Sequence, residues 1–221
     1  MKKVALVFGG SRGIGAACAQ ALRDEFDVSS TSTATVDIQK PEDVKRAFDE
    51  AERQYGRKVD CVVANAGIGV PPGPVAQFDP ANFRKLVEVN IVGAFNVLRE
   101  AGQRVADGGS IIAVTTSMVR HAVPGFGPYA GTKAAVECMV RSMAKEIAPR
   151  KVRVNAVAPG PVDTELFRAG KTEEAKQKSA ALSPFNRVGN PQEVAQVVAF
   201  LASDRASWVH GQIVQPNGGM I

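Results

Sequence analysis

Strand-like and helix-like segments alternate along the chain, and their order predicts the fold. Runs typical of strands fall at 4–8, 27–33, 35–38, 59–67, 110–116, 152–160 and 212–216. Helical spacing of apolar residues appears at 13–26, 41–55, 80–104, 128–148 and 191–202. Alternation of this kind is typical of a parallel sheet covered by helices on both faces. We therefore expect an α/β fold with a doubly wound, mostly parallel sheet of about seven strands.

One connection is too short for this pattern. Parallel neighbours need a crossover of about a dozen residues or more. Almost nothing separates the runs at 27–33 and 35–38. We therefore expect the helix between strands 2 and 3 to be missing, with an extended Ser/Thr-rich link in its place.

The composition fits one domain over residues 1–221. Of the 221 residues, 45% are hydrophobic, which supports one substantial core and not two large domains. The net charge of +5 is dispersed along the chain, which argues against a nucleic-acid binder. Three separated cysteines suit buried thiols in a reducing compartment, and the two histidines lack partners at metal-ligand spacing. Since no apolar run approaches the ~20 residues that span a bilayer, we expect a cytoplasmic protein with no metal, nucleic-acid or membrane partner.

A glycine-rich turn follows the first predicted strand and opens the first predicted helix. It reads FGGSRGIG, with glycines at positions 9, 13 and 15. Glycine lets the backbone approach a pyrophosphate closely, and a helix N-terminus offers it free N–H groups and partial positive charge. This context favours a dinucleotide site over a simple turn.

The charges near this turn favour NADP over NAD. A free ribose 2′-hydroxyl is usually held by an acid after the second strand. Here that strand ends in Ser32 and Thr33, and the next acid is Asp37. Arg12 lies inside the turn, and a guanidinium with hydroxyl groups suits a 2′-phosphate. The alternative is that Arg12 is merely solvated.

The stretch TTSMVRHAVPGFGPYAGTK, residues 115–133, carries candidate acid–base chemistry. Tyr129 and Lys133 are four residues apart on a predicted helix and therefore share a face. An ammonium about 4 Å from the phenol is expected to lower the pKa of Tyr129 by about three units, which would make it an effective acid–base group. The spacing alone is a weak signal in a chain of this length.

Six motifs occur in order along the chain: FGGSRGIG, ANAG (64–67), VN (89–90), YAGTK (129–133), VNAVAPGPVDT (154–164) and GQIVQPNGG (211–219). Together they resemble the single-domain branch of the short-chain dehydrogenase/reductase family, and are similar in particular to 3-oxoacyl-carrier-protein reductases. The resemblance covers nearly the whole chain. It implies a Rossmann fold and an NADP(H)-dependent carbonyl reductase that transfers hydride between nicotinamide and a carbonyl or secondary alcohol.

The resemblance also implies roles for matching residues. Tyr129 would be the general acid/base, Lys133 would lower its pKa and bind the nicotinamide ribose, and Asn90 would hold a proton-relaying water. Asn90 lies in an apolar helical stripe, where an amide bonded only to backbone is the alternative. The implied cofactor-binding set comprises Gly9, Ser11, Arg12, Gly13, Ile14, Gly15, Ser32, Thr33, Asp37, Ile38, Asn65, Ala66, Gly67, Tyr129, Lys133, Pro159, Gly160, Val162 and Thr164.

Three departures from the family pattern modify these expectations. The family serine that polarises the substrate usually stands thirteen residues before the tyrosine, where this chain has Thr116. We favour the neighbouring Ser117 as the less hindered hydroxyl, with Thr116 as the alternative. Phe8 replaces a threonine that ties the glycine turn to the NAG loop, so we expect this tie to be lost. The shortened region where the helix is missing resembles that of quinonoid dihydropteridine reductases, so a pterin-type substrate remains an alternative. The shortened sheet edge also predicts weaker cofactor affinity than in full-length relatives.

The substrate and the assembly are less constrained by the sequence. The segment 165–188 lies where the family has its substrate lid, and Arg120 and His121 either meet an anionic substrate or face solvent. Relatives form tetramers through the two long helices and the last strand, which predicts a homotetramer or dimer. A nucleotide-binding sensor or scaffold without turnover is the alternative function, although an intact Asn90, Tyr129 and Lys133 set argues against it.

Overall fold

A parallel sheet of six strands lies at the centre of the molecule, in a computed structural model that describes residues 1–221. The strands are β1 (Lys3–Phe8), β2 (Phe26–Ser30), β3 (Cys61–Ala64), β4 (Ser110–Val114), β5 (Arg153–Val157) and β6 (Ile213–Val214). Their spatial order is β2-β1-β3-β4-β5-β6, and every neighbouring pair is parallel. The predicted parallel α/β architecture is confirmed.

Helices cover both faces of this sheet. They are α1 (Gly13–Leu22), α2 (Pro41–Tyr55), α3 (Pro80–Leu86), α4 (Ala94–Arg104), α5 (Met118–His121), α6 (Gly127–Glu146), α7 (Glu165–Arg168), α8 (Glu173–Ala180) and α9 (Pro191–Ala202). Alternate side chains of β1 enter different cores. Val4, Leu6 and Phe8 pack with α2, α4 and α6, whereas Ala5 and Val7 pack with α1 and α9. No helix combines the length and the apolar character that crossing a membrane requires.

The strand predicted at 35–38 does not form, so the expectation of about seven strands is wrong by one. The side chain of Thr35 closes a turn by accepting a hydrogen bond from the N–H three residues earlier, at 3.1 Å. Ile38 is buried against Gly93, and the side chain of Asn96 donates to its carbonyl at 2.9 Å. The link therefore packs onto the helix layer and not beside β2. The predicted absence of the helix between β2 and this link is confirmed.

The predicted helix 80–104 is continuous, but its middle is a π-helical turn. Asp79 caps the first turn with its carboxylate, and Pro80 occupies the first helical position, as the sequence predicts. The turn Val87–Gly93 then separates α3 from α4 and contains Asn90. Such turns admit an extra residue and often occur at functional sites, because they redirect one side chain out of the regular helical stripe.

The strand order reverses at β1, which has β2 on one side and β3 on the other. In open α/β sheets, ligands bind outside the carboxyl ends of the strands at such a reversal. Here the ends of these strands are Phe8 and Ala64, which are paired in register. The glycine turn and the NAG loop therefore flank a common crevice.

Candidate active site

The glycine turn after β1 is held against the NAG loop after β3. Gly9 has φ +75°, and a Cβ on it would lie 2.9 Å from the Cα of Ala66. A Cβ on Gly15 would lie 2.0 Å from the carbonyl oxygen of Gly9, so α1 packs this closely only because glycine is there. Asn65 Nδ2 donates to the same carbonyl at 2.9 Å. The expected loss of the tie is therefore wrong, because Asn65 supplies it while Phe8 is buried in the core.

The start of α1 offers backbone N–H groups to an anion. The helix begins at Gly13, its N-cap residue Arg12 makes no side-chain capping bond, and its first turn, which includes Ile14, carries no acidic residue. Ser11 and Arg12 are exposed, and Arg12 Nη1 donates to Glu165 Oε2 at 3.1 Å. A glycine cradle followed by a free helix N-terminus fits the pyrophosphate of a dinucleotide.

The segment after β2 forms the adenosine end of this crevice. Ser32 is half-buried and Thr33 is exposed, so both remain accessible at the sheet edge. The carboxylate of Asp37 accepts hydrogen bonds from the backbone and side chain of Gln39, at 3.1 and 2.9 Å. Ile38 is buried, so of the two residues of this link that the resemblance implies in cofactor binding, Asp37 and Ile38, only Asp37 is accessible.

Tyr129 and Lys133 lie one turn apart near the start of α6. Lys133 is buried, and its Nζ donates to the carbonyl of Val114, the last residue of β4, at 3.0 Å. Burial lowers the pKa of Lys133 to about 8. Burial raises the pKa of Tyr129 to about 12. For the protein alone, the expected lowering of the phenol pKa is therefore wrong, because desolvation is the effect that dominates at both groups.

Asn90 and Lys133 converge on one point beside the NAG loop. Asn90 is fully buried, its Oδ1 accepts from the N–H of Ile68 at 2.9 Å, and its Nδ2 donates to the Ile68 carbonyl at 3.0 Å. Nδ2 also lies 3.3 Å from the hydroxyl of Thr132. A Cβ on Gly67 would lie 3.1 Å from Asn90 Oδ1 and 3.2 Å from Lys133 Nζ. Asn90 thus has the backbone partners of a structural amide and also borders the buried ammonium.

The hydroxyl of Ser117 is bonded to the segments that follow β5 and β6. Ser117 is only 1% exposed, and its Oγ donates to the carbonyl of Ala158 at 2.7 Å. The same oxygen accepts from Asn217 Nδ2 at 3.2 Å. Both roles of this hydroxyl are therefore used within the protein. The preference for Ser117 as the substrate-polarising group does not fit this arrangement, because its proton already serves a backbone carbonyl.

The two threonines before it have different surroundings. Thr115 is buried, and its hydroxyl donates to Glu137 Oε1 at 3.0 Å. Thr116 Oγ1 accepts from the N–H of Met118 at 3.3 Å, which leaves its own O–H proton free to donate. Of the three hydroxyl groups, only that of Thr116 keeps a donor available at the carboxyl end of β4.

The segment after β5 closes the other side of the crevice. Pro159 is buried, and its carbonyl accepts from the N–H of Ser117 at 2.9 Å. A Cβ on Gly160 would lie 2.9 Å from the Cα of Asn217, so glycine permits the C-terminal segment to pack here. Pro159 and Gly160, which the resemblance implies in cofactor binding, therefore lie beside the hydroxyl run that follows β4.

The two ends of the segment 165–188 lie next to each other. Val162 and Gly189 form an isolated parallel bridge at its two ends. Thr164 caps α7 through its hydroxyl, which accepts from the N–H three residues later at 3.1 Å. The side chain of Leu166 lies 3.6 Å from the Cβ position of Gly69, in the loop after the NAG residues. The segment thus reaches across the crevice from the β5 side to the β3 side.

An apolar cavity of about 320 Å³ lies beside α5 and the start of α6. Its walls include Met118, Val119, Val123 and small residues of α6. Those small residues lie on the side of α6 opposite to Tyr129, since successive residues of a helix are about 100° apart. The cavity therefore adjoins the site without containing the acid–base pair.

Two buried polar residues near the site were missed by the sequence analysis. Asn217 lies within the motif GQIVQPNGG, and this motif was the signal that could have identified it. Glu137 stands one helical turn beyond Lys133, and burial raises the pKa of its carboxyl group while the hydrogen bond from Thr115 opposes that shift. Neither belongs to a metal centre, because no group of three or more His, Cys, Asp or Glu side chains could share an ion.

The parallel sheet with its reversal at β1 defines a Rossmann-type fold, and comparisons with known proteins identify the family as one of oxidoreductases. The family described as enoyl-(acyl carrier protein) reductase matches residues 16–221. The chain is similar to an NADPH-dependent aldehyde reductase-like protein of Arabidopsis thaliana, with 44% identity over 187 residues, 83% of this chain and 69% of that protein. It is also similar to versicolorin reductase 1 of Aspergillus parasiticus, with 38% identity over 253 aligned residues, 98% of this chain and 95% of that protein.

A solved structure extends this similarity to the whole fold. The crystal structure of a dehydrogenase/reductase from Sinorhizobium meliloti 1021 matches with a TM-score of 0.89 and 27% identity, over 99% of this chain and 94% of that chain. The chain belongs to the short-chain dehydrogenase/reductase family of nicotinamide-dependent oxidoreductases.

Proposed function

We propose that the protein is an NADP(H)-dependent carbonyl reductase or alcohol dehydrogenase with Tyr129 as general acid/base. The observation that carries this proposal is the placement of Tyr129 and Lys133 one turn apart on α6, with Lys133 Nζ against the end of β4 at 3.0 Å. The nearby Asn90 borders the same point as Lys133. A sensor or scaffold would not need this buried, costly arrangement of an ammonium and a phenol.

The crevice has the features needed for the cofactor. The cradle of Gly9 and Gly15 and the start of α1 fit a pyrophosphate, and Arg12 supplies the positive charge that a 2′-phosphate requires. The nicotinamide would lie toward Pro159, Gly160 and the acid–base pair, where it supplies or accepts the hydride. We also propose that the protein prefers NADP to NAD.

The chain's own residues handle the proton. In the reducing direction Tyr129 donates its phenolic proton to the carbonyl oxygen, and in the oxidising direction it removes one from the alcohol. The ammonium of Lys133, one helical turn away, would stabilise the phenolate that results and so act against the effect of burial on the Tyr129 pKa. A water between Lys133 Nζ and Asn90 Oδ1 would pass protons to solvent, since both groups border the point next to Gly67.

Thr116 is the proposed substrate-polarising hydroxyl, in place of Ser117. Its O–H proton is free because Thr116 Oγ1 acts only as an acceptor toward Met118. A donor aimed at the reacting oxygen stabilises the negative charge that develops there. The hydroxyl of Ser117 instead joins β4 to the segment after β5 and so holds the site together.

The substrate is proposed to be a small, largely apolar carbonyl compound or its alcohol. Leu166 of the segment 165–188, which we propose to act as a lid, is 58% exposed and available to cover such a substrate. The name of the Arabidopsis relative points to aldehydes as the first compounds to test.

A spectrophotometric screen with purified protein tests the proposal. NADPH and NADH would be offered with aldehydes, acetoacetyl thioesters, diketones, quinones and pterins, and NADPH oxidation with a carbonyl compound is the expected result. Tyr129→Phe serves as the control, because it keeps the ring but cannot donate a proton. Oxidation of NADH alone would reject the cofactor preference, and selective turnover of pterins would reject the substrate class. Binding of the cofactor without any turnover would favour a sensor.

A further inference from the structure

We propose that Glu165 is a specificity-determining residue that opposes binding of the 2′-phosphate of NADP; this inference rests on the proposed function. The guanidinium of Arg12 is the positive charge of the glycine turn, and it donates to Glu165 Oε2 at 3.1 Å. Glu165 is the first residue of α7 and the start of the segment 165–188. The group expected to hold a phosphate is therefore already paired with a carboxylate from the other side of the crevice.

The fold, and not only two long side chains, sets this pairing. The methyl group of Thr164 lies 3.4 Å from the Cβ position of Gly13, so the backbone before Glu165 is next to the glycine turn. Thr164 also caps α7 and fixes the direction in which that helix leaves the turn. Any side chain at position 165 therefore starts close to Arg12.

Arg12 is the only cation that forms a salt bridge with Glu165. Arg168, in the last turn of α7, gives two hydrogen bonds to Asp163, at 2.6 and 2.7 Å. A guanidinium has five N–H donors, so Arg12 could contact a phosphate while keeping Glu165. That arrangement would place a carboxylate beside a phosphate of charge near −2, and the two anions repel. Whether Arg12 exchanges partners or keeps both, Glu165 weakens binding of the phosphorylated cofactor.

The unphosphorylated cofactor experiences no such penalty, because its ribose carries a neutral hydroxyl at the same position. Glu165 therefore reduces the ratio of NADP affinity to NAD affinity, which Arg12 raises. Since Arg12 and Glu165 are about three-quarters exposed, the interaction is screened by salt. The effect should therefore be moderate at low ionic strength and smaller at high ionic strength.

Calorimetric titration with two cofactor fragments tests this inference without any turnover. Adenosine 2′,5′-bisphosphate carries the 2′-phosphate, and adenosine 5′-monophosphate lacks it. Glu165→Gln should tighten binding of the bisphosphate by about two- to fivefold at low salt, the size expected for removal of one exposed charge. Binding of the monophosphate should change by less than about twofold. In the Arg12→Ala background, Glu165→Gln should have a smaller effect if the two residues are coupled.

Glu174→Gln is the matched control, because it removes one exposed carboxylate from the same segment, where Lys178 pairs with it at 2.7 Å. It should leave both affinities unchanged. Equal changes for both fragments in Glu165→Gln, or no change in either, would overturn the role of Glu165 while leaving the proposed function intact. If the unmodified protein bound neither fragment nor NADPH, the proposed function would fail and this inference with it.

Discussion

At the scale of single residues, the site depends on the buried Lys133 and the half-buried Tyr129, whose pKa values shift in opposite directions. Burial lowers the pKa of Lys133 from 10.5 to about 8. Burial raises that of Tyr129 from 10.0 to about 12. Each shift disfavours the charged form, so the folded protein holds an ammonium at neutral pH only at a cost in stability. This cost is a sign that the pair is kept for chemistry and not for packing.

The Lys133 shift predicts how stability depends on pH. Between about pH 8 and 10.5 the unfolded chain binds the Lys133 proton and the folded chain has lost it, so the contribution of Lys133 to the free energy of unfolding should rise with pH. Burial raises the pKa of Cys18 to about 12 and that of Cys61 to about 11, and these thiols act in the opposite direction above about pH 9. The difference in unfolding free energy between the unmodified protein and Lys133→Met isolates the Lys133 contribution, which we expect to grow by about 1–3 kcal/mol. Urea unfolding of both proteins from pH 7 to 10 measures this. An equal rise in the variant would mean that other groups cause it.

The hydroxyl run supplies a second prediction at this scale. Thr116→Ala should reduce kcat by about 10²–10³, because it removes a donor to the reacting oxygen, and Thr116→Ser should restore most of the activity. Ser117→Ala should instead lower the free energy of unfolding by about 1–2 kcal/mol, since it breaks two buried hydrogen bonds, and leave kcat within a few-fold. Steady-state kinetics and urea unfolding on both variants decide the assignment. A larger loss of kcat in Ser117→Ala would restore Ser117 as the polarising residue.

Sequence spacing identifies the run of hydroxyl residues but does not show which of them polarises the substrate. Thr116 and Ser117 are adjacent, and the choice depends on which one meets the carbonyl of Ala158 across the sheet. The same limit applies to the tie between the glycine turn and the NAG loop. Its family threonine is replaced by Phe8, and only the folded geometry places Asn65 near enough to substitute. Contacts between distant segments carry no local signal.

At the scale of elements, strong local signals predicted the structure well and weak ones did not. The helix α9 was predicted with its bounds, because Asn190 and Glu193 form a capping box before an apolar repeat. The strand at 35–38 failed, since burial of Ile38 and the turn at Thr35 override its β-like composition. The π-helical turn around Asn90 has no signature in the residue pattern.

Because no strand forms at 35–38, β2 is an edge strand of the sheet. The side chain of Tyr55 covers part of that edge. Thr31 donates to β1, so the carbonyl three residues earlier, that of Val28, faces outward. The hydroxyl of Tyr55, the last residue of α2, donates to that carbonyl at 3.0 Å. An uncovered edge can pair with another chain, so this hydrogen bond both stabilises the fold and limits self-association.

Tyr55→Phe should therefore lower the free energy of unfolding by about 0.5–1.5 kcal/mol and increase self-association. Urea unfolding and light scattering at increasing protein concentration measure the two effects. Gln54→Ala, an exposed change on the same turn of α2, is the control and should alter neither. Unchanged stability and scattering in Tyr55→Phe would mean that water replaces the hydroxyl without loss.

At the scale of the whole molecule, the chain keeps the catalytic half of the fold intact and shortens the adenosine half. The link that replaces the missing unit is anchored to α4 by Asn96 and to the π-helical turn by Ile38, so the core stays closed despite the deletion. Two hydroxyl residues and Asp37 remain accessible there. Because this shortened end offers fewer residues around the adenosine, we expect weaker cofactor affinity than in full-length relatives. This stays a prediction.

The surfaces of the long helices argue for an oligomer, as the family resemblance predicts. Phe95 on α4 is 48% exposed, and the neighbouring α6 presents Gly131 and Cys138 to solvent. An exposed aromatic ring on one helix and exposed small residues on the next suit burial against a second copy of the same surface. We expect a dimer or tetramer by size-exclusion chromatography with light scattering, and expect Phe95→Glu to shift it toward monomer because a carboxylate would be buried there. Leu166→Glu, an equally drastic change at a 58% exposed position whose side chain lies toward the loop at Gly69, should leave the assembly unchanged. A monomeric unmodified protein would refute the expectation, and equal dissociation in both variants would place the contact elsewhere.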